Sequence, residues 1–306
     1  MPDTPASRHL SPVGLPIAGF ALLAAVTVFW GVNWPTMKIV LGDLSPWWFR
    51  TICLATGGAA LLAISGLSGN RVRVPAGDLR PLMLCSLFNM VGWHLFSAYG
   101  LTLVPAGRAS IIAFTMPVWA ALFAIPVLKE RVSVAVFAGL ALGMTGLGIL
   151  IGHDMTVLGS APVGSLIMLG AAVSWGMGTV LFKLFDWQTP VATAVGWQLL
   201  FASIPVGIGA LLLEPLPDLA GLSRPAMFAF AYVLVFPMVF CQWAYFKIVD
   251  MFPAVYAAIG VLAVPVVGVY SSLLLLGEPV GWREIAALVL VCSSIFTVLI
   301  LPKLRG

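Results

Sequence analysis

The chain has 306 residues, of which 61% are hydrophobic and only 8% charged, with a mean hydropathy of +1.09. A water-soluble domain carries roughly a quarter charged residues, so no soluble fold could cover this much apolar surface, and the chain belongs in a bilayer. The formal charge of +4 is small and the basic residues lie mostly between apolar runs, which excludes a nucleic-acid surface and leaves a topology signal.

Residues 1–16 are polar and contain proline, and they read as a cytoplasmic tail without the small-residue cleavage pattern of a removable signal peptide. A membrane helix needs about 20 mostly apolar residues. That rule predicts ten spans, at 17–40, 46–66, 79–100, 107–128, 133–152, 163–186, 190–213, 225–248, 254–276 and 282–301. Turn signals separate them: Gly42-Asp43, Ser45-Pro46, the polar run from Ser65 to Asp78, Lys129-Glu130-Arg131, Gly152-His153-Asp154, Pro215 to Asp218, and Gly277-Glu278-Pro279. Every loop is short, so no soluble domain is expected.

Two stretches match each other. Trp30-Gly31-Val32-Asn33-Trp34-Pro35-Thr36-Met37-Lys38 and Trp175-Gly176-Met177-Gly178-Thr179-Val180-Leu181-Phe182-Lys183 both place Trp-Gly late in an apolar run and a lysine eight residues after the Trp, at an offset of 145. Phe88, Met90 and Val91 match Phe236, Met238 and Val239, while Pro105, Pro117 and Glu130 match Pro253, Pro265 and Glu278, all at offset 148. The chain therefore reads as two tandem copies, 17–152 and 163–301, followed by a cytoplasmic C-terminal tail at 302–306. With the N-terminus inside, ten basic residues fall on the cytoplasmic side and five on the other, which places both termini in the cytoplasm. Five spans per copy is an odd number, so the second copy runs inverted, a recurring transporter design with the substrate site between the copies.

Candidate site residues follow from buried polarity and from the repeat. Trp30 and Trp175 sit more than ten residues into their spans, so they either line a central cavity or pack helices. Asn33 is a buried amide, either a ligand group or interhelical glue. His94 lies mid-span, and intramembrane ionisable groups are functional candidates; its repeat mate is Gln242, and its bland role is a neutral histidine satisfied by a neighbouring helix. Met90 shares its helical face one turn earlier. Tyr99, Ser110, Phe114, Tyr256 and Gln198 are weaker candidates, each equally readable as packing, and Thr179 follows Trp175 within the repeated motif. Lys38, Arg50, Arg108, Lys183 and Lys247 fall near span ends, where long side chains reach headgroups. Gly139 and Gly143 form a GxxxG match that suggests a close helix contact, within or between protomers.

The absences narrow the function. There is no Walker A loop, no HExxH or CxxC, and no nucleophile–base constellation, so neither ATP use, a metal site, a cofactor nor an enzyme is expected. Cys53, Cys85, Cys241 and Cys292 lie in apolar runs and read as small buried residues. No Asp or Glu lies mid-span, which leaves His94 as the only deep group that could couple flux to protons. A receptor or scaffold would lack an extramembrane domain to act through.

The Trp-Gly-x-Asn motif, the proline-bearing fourth and ninth spans, and the Glu130 and Glu278 helix junctions resemble the drug/metabolite transporter superfamily, EamA type, over about residues 17–301. Within it the chain is similar to the YddG-type amino-acid exporters of bacteria. The resemblance implies an all-α integral membrane protein of two inverted five-helix repeats. It also implies a cavity lined by the first, third, fourth, sixth, eighth and ninth helices, in a bacterial inner membrane. The implied cargo is a neutral or aromatic amino acid or a related metabolite, with purines or lipophilic drugs as the alternative. The expected partners are a small-molecule substrate and membrane lipid, with no nucleic acid and with a homodimer left open. Gly178 stands where the motif would repeat Asn33, so the two halves of the site are expected to be chemically unequal.

Overall fold

The computed structural model describes residues 17–129, 134–156, 161–244 and 254–297. The expectations placed on both tails, Glu130, Lys247 and Pro253 lie outside these residues, as does the Tyr256 side chain. The described residues form helical rods and no strand: α1 (Ile17–Asp43), α2 (Pro46–Leu67), α3 (Ala76–Leu103), α4 (Ala106–Leu128), α5 (Val134–Thr156), α6 (Ala161–Leu184), α7 (Val191–Leu213), α8 (Arg224–Ala244), α9 (Ala254–Leu276) and α10 (Trp282–Ile295). Seven of them, α1 to α4 and α6 to α8, are long and apolar enough over the described residues to cross a membrane.

Polarity runs from the inside outward. Leu274, Phe228 and Leu212 are more than three-quarters exposed, whereas Ser110, Thr193, Gln198 and Ser272 are sealed inside at 1% exposure or less. In water that arrangement would expose apolar patches far beyond those of a soluble monomer. In lipid it is the expected one, because the hydrocarbon solvates the outer face and the protein must satisfy its own polar groups.

Prolines set several helix starts. Pro46 and Pro225 open α2 and α8 behind Ser45 and Ser223, and Pro105 and Pro190 cap α4 and α7. A proline there loses nothing, since the first N–H groups of a helix have no partner within it. Backbone amides at two helix starts are instead met by carboxylates from distant parts of the chain. Asp78 of α3 accepts from the Gln188 and Thr189 amides (3.1 and 2.8 Å) and from Thr189 Oγ1 (2.6 Å) ahead of α7, and Glu278 accepts from the Ala106 and Gly107 amides in the first turn of α4. Each negative charge also complements a helix dipole.

Helix pairing follows one rule. Exchanging α1–α5 with α6–α10 turns the α1–α8 contact into α6–α3 and the α1–α9 contact into α6–α4, and all four are made. The pairs α2–α7, α4–α9 and α5–α10 map onto themselves, and they too are made. Between α2 and α7, a methyl group on Gly58 would lie 2.9 Å from the Gly196 carbonyl oxygen, so the two backbones touch through glycine. The GxxxG pair serves a contact within the chain: Ser294 of α10 donates to the Gly139 carbonyl at 2.5 Å, and a methyl on Gly143 would meet Val118 of α4 at 2.8 Å.

Candidate functional site

The Trp-Gly pairs are close-packing points. A methyl on Gly31 would lie 2.4 Å from Val267 Cβ of α9, and one on Gly176 would lie 2.8 Å from Trp119 Cβ of α4. Position 31 maps to 176 and position 119 to 267 under the two repeat offsets, so these are the same contact made twice. The glycines pull α9 onto α1 and α4 onto α6 beside each tryptophan. Trp30 is half-buried against the core, and Trp175 packs on Trp93 of α3 with ring centroids 5.0 Å apart. Trp93 in turn meets Trp34 of α1 edge-on at 6.4 Å, so three rings from three helices form one line.

The centre of α3 is not α-helical. Leu87–Gly92 is a π-helical turn, and α8 carries one at Phe236–Phe240. At offset 148 they coincide. Such turns leave carbonyls and side chains unusually aimed and are frequent at functional sites. In α8 a cause is visible: Pro237 has no N–H to donate. Its repeat mate is Asn89, and there the surroundings hold the turn open. Ser174 of α6 donates to the Phe88 carbonyl at 2.8 Å, Ser86 donates to the Gln198 carbonyl at 2.6 Å, and Asn89 Nδ2 reaches Gln198 Oε1 at 3.5 Å. The Asn89 amide lies against Gly178, where a methyl would be 2.1 Å from its Oδ1. This accounts for the glycine that replaces Asn33 in the second motif. The amide that the first copy carries on α1 is supplied on this side by α3.

Just past the π turn, His94 is buried at 7% exposure and its Nδ1 has no partner among the described residues. Its carbonyl accepts from Arg50 Nε of α2 at 3.0 Å. Asn33 Nδ2 donates to Met37 Sδ at 3.4 Å, leaving its buried Oδ1 without a partner. Met90 joins the core at 4% exposure beneath this group. Gln242 lies half-buried just beyond the second π turn. The other expected residues sit elsewhere. Ser110 is fully buried against Gly268 of α9 and donates to the Gly107 carbonyl at 2.7 Å. Phe114 is buried at the break between the two segments of α4. Tyr99 and Thr179 are exposed, and Thr179 lies one turn beyond Trp175 on α6.

Three of the charged residues expected at the headgroups, Lys38, Arg50 and Arg108, require correction, whereas Lys183 is exposed. Arg50 is 3% exposed. Lys38 Nζ donates to the Val104 carbonyl at 2.6 Å and pairs with Glu278 at 3.1 Å, while Arg108 pairs with Glu284 at 2.6 Å. Glu278 also accepts from the Ala106 and Gly107 amides at 2.8 and 3.1 Å. All these partners come from distant parts of the chain, so the cations turn inward rather than toward lipid. Lys38 ties α1 to the α9–α10 turn and Arg108 ties α4 to α10, beside a cavity of about 240 Å3 lined in part by Ser272, Val280 and Arg283. Sequence reasoning passed over Trp34, Trp93 and Asn89. Asn89 was visible as a polar residue in mid-span, whereas Trp34 and Trp93 had no repeat partner to mark them.

One family model, described as the EamA-like transporter family, matches residues 17–152 and again 162–300. The chain belongs to that family. Among curated relatives, the uncharacterized transporter YoaV of Bacillus subtilis is 26% identical over 90% of this chain and 94% of its own length. YvbV of the same organism is 28% identical over 90% of this chain and 89% of its own length. A probable amino-acid metabolite efflux pump of Salmonella typhimurium is 26% identical over 91% of this chain and 93% of its own. A solved crystal structure shares the fold with a TM-score of 0.67 at 20% identity, covering 94% of this chain and 99% of that one. This EamA-like transporter is thus a multi-pass membrane protein of the drug/metabolite transporter type.

Proposed function

We propose that the protein exports neutral, largely apolar or aromatic amino acids, in the manner of the YddG-type carriers, across a bacterial inner membrane. In this reading ten spans form two inverted five-helix copies that alternate access around the α1–α3–α6 centre, with both termini in the cytoplasm. The observation that carries it is the line of Trp34, Trp93 and Trp175 rings beside the unpartnered His94 Nδ1 and Asn33 Oδ1. Rings bury an apolar side chain, and a few unpaired polar atoms orient the backbone of a small molecule. The Salmonella relative's name points the same way.

The deciding experiment is flux of labelled amino acids into liposomes holding the purified protein. With no carboxylate midway along any described helix, flux should run down the substrate gradient without an imposed pH or sodium gradient. Strict dependence on an ion gradient would make His94 the first suspect and overturn passive carriage. Trp175→Ala should weaken large apolar substrates more than small ones, by about 1–2 kcal/mol or roughly tenfold in affinity. His94→Ala should weaken all amino acids alike. If both variants, at matched membrane levels, carry every substrate normally, the site lies elsewhere.

Topology has its own test. Gly42 and Asp186 are exposed just past the ends of the two repeated motifs. Single cysteines at 42 and 186 in a cysteine-free background should label from opposite sides of the cell membrane, with 42 outside. Labelling from one side would refute the inverted arrangement.

A further inference from the structure

Arg50 is a buried cation without an anion. It stands in the second turn of α2 and its guanidinium lies 4.7 Å over the Phe49 ring. Nε donates to the His94 carbonyl at 3.0 Å, and Nη2 donates to Ser97 Oγ at 2.9 Å and Met37 Sδ at 3.3 Å. Every one of these partners is neutral. Among the described residues Arg50 makes no ion pair, and Nη1 donates to nothing. Lys38 and Arg108, the other cations drawn inward near this end, each have a glutamate. A buried charge is ordinarily paired, and an arginine does not escape the cost by losing its proton. The neighbours share the same incompleteness. Met37 Sδ, which Arg50 holds, also receives Asn33 Nδ2, and that amide's Oδ1 is buried without a partner. His94, whose carbonyl Arg50 holds, has an unpartnered Nδ1. One cluster therefore offers a free cationic donor and a free carbonyl-type acceptor, joined through Met37.

We infer that this cluster is the head-group site: Arg50 Nη1 receives the carboxylate of the cargo, and Asn33 Oδ1 accepts from its ammonium. An α-amino acid presents these two groups on adjacent atoms, and its side chain then extends along the tryptophan line. Guanidinium and carboxylate match in charge and shape. A phosphate dianion would call for further cations, and Lys38 and Arg108 are already engaged. The inference rests on the amino-acid reading and names the chemical group that selects the cargo.

The test compares L-phenylalanine with L-phenylalaninamide in proteoliposomes of wild type, Arg50→Gln and Arg50→Lys. Wild type should favour the acid at least tenfold. Arg50→Gln should collapse that preference at least tenfold, with Arg50→Lys in between. If Arg50→Gln lowers both fluxes together and keeps the wild-type ratio, Arg50 is a structural tie between α2 and α3 and the inference fails. Should Arg50→Gln fold poorly, wild type alone decides: hydrocinnamate must compete with phenylalanine flux at least tenfold better than hydrocinnamamide, and equal competition overturns the assignment. Thermal stabilisation in detergent separates the two readings. If wild type carries no amino acid yet hydrocinnamate stabilises it and not Arg50→Lys, the carboxylate site stands and amino-acid export falls.

Discussion

Placing at position 178 the asparagine that its repeat mate carries at 33 should lower the melting temperature and the yield of folded protein. The new Cβ would lie 2.1 Å from Asn89 Oδ1 and 2.9 Å from the Asn89 backbone nitrogen. The side chain can turn away but the backbone cannot, because the π turn is held from Ser174 and Gln198 on either side. Overpacking of this kind costs about 1–3 kcal/mol or more, a large part of a marginal stability of roughly 5–15 kcal/mol. Melting temperature and monodisperse yield in detergent measure it. Adding Asn89→Ala removes the two nearest contacts and should recover part of the loss. A Gly178→Asn protein as stable as wild type would show that α3 and α6 do not meet this closely.

Glu278→Gln should open the end of the molecule where α4 begins. The carboxylate accepts from Lys38, Ala106 and Gly107 together, so neutralising it weakens three bonds that join the first copy to the second. The Lys38 side chain is 30% exposed and that of Glu278 14%, so solvent already screens the pair. A discounted cost of about 2 kcal/mol corresponds to roughly a thirtyfold shift in the ratio of closed to open states. Ser272 is 1% exposed and lines the adjacent cavity. In a cysteine-free background, Ser272→Cys should react with a polar thiol reagent at least tenfold faster once Glu278→Gln is added. An unchanged rate would mean that this ion pair does not hold the end shut.

The apolar helices were legible because hydropathy is a local property. The repeated Trp-Gly pairs were legible as motifs, and the structure gives Gly31 and Gly176 a packing reason in Val267 and Trp119. The roles of the charges were not legible. Lys38, Arg50 and Arg108 stand near helix ends in sequence, which suggests headgroups. What turns them inward is a set of partners 44 to 240 residues away, at His94, Glu284 and Glu278. Distance along a helix predicts depth only when nothing across the bundle competes for the side chain. The cover over Ser110 was not legible either, since the Gly268 packed on it could be known only from the pairing of α4 with α9.

The paired π turns have a mechanical consequence. Each residue of an α-helix turns the chain by about 100° and advances it by about 1.5 Å. A wider turn takes up extra chain, so the halves of α3 and of α8 are out of phase with each other. Were either turn to tighten into ordinary helix, the half beyond it would screw around its own axis. Trp93 and His94 would swing away from α6 and α2, and Gln242 would do the same in α8. Both rods carry this slack at the same place. The bundle could then change which side chains face its centre by twisting two rods rather than by bending at a hinge.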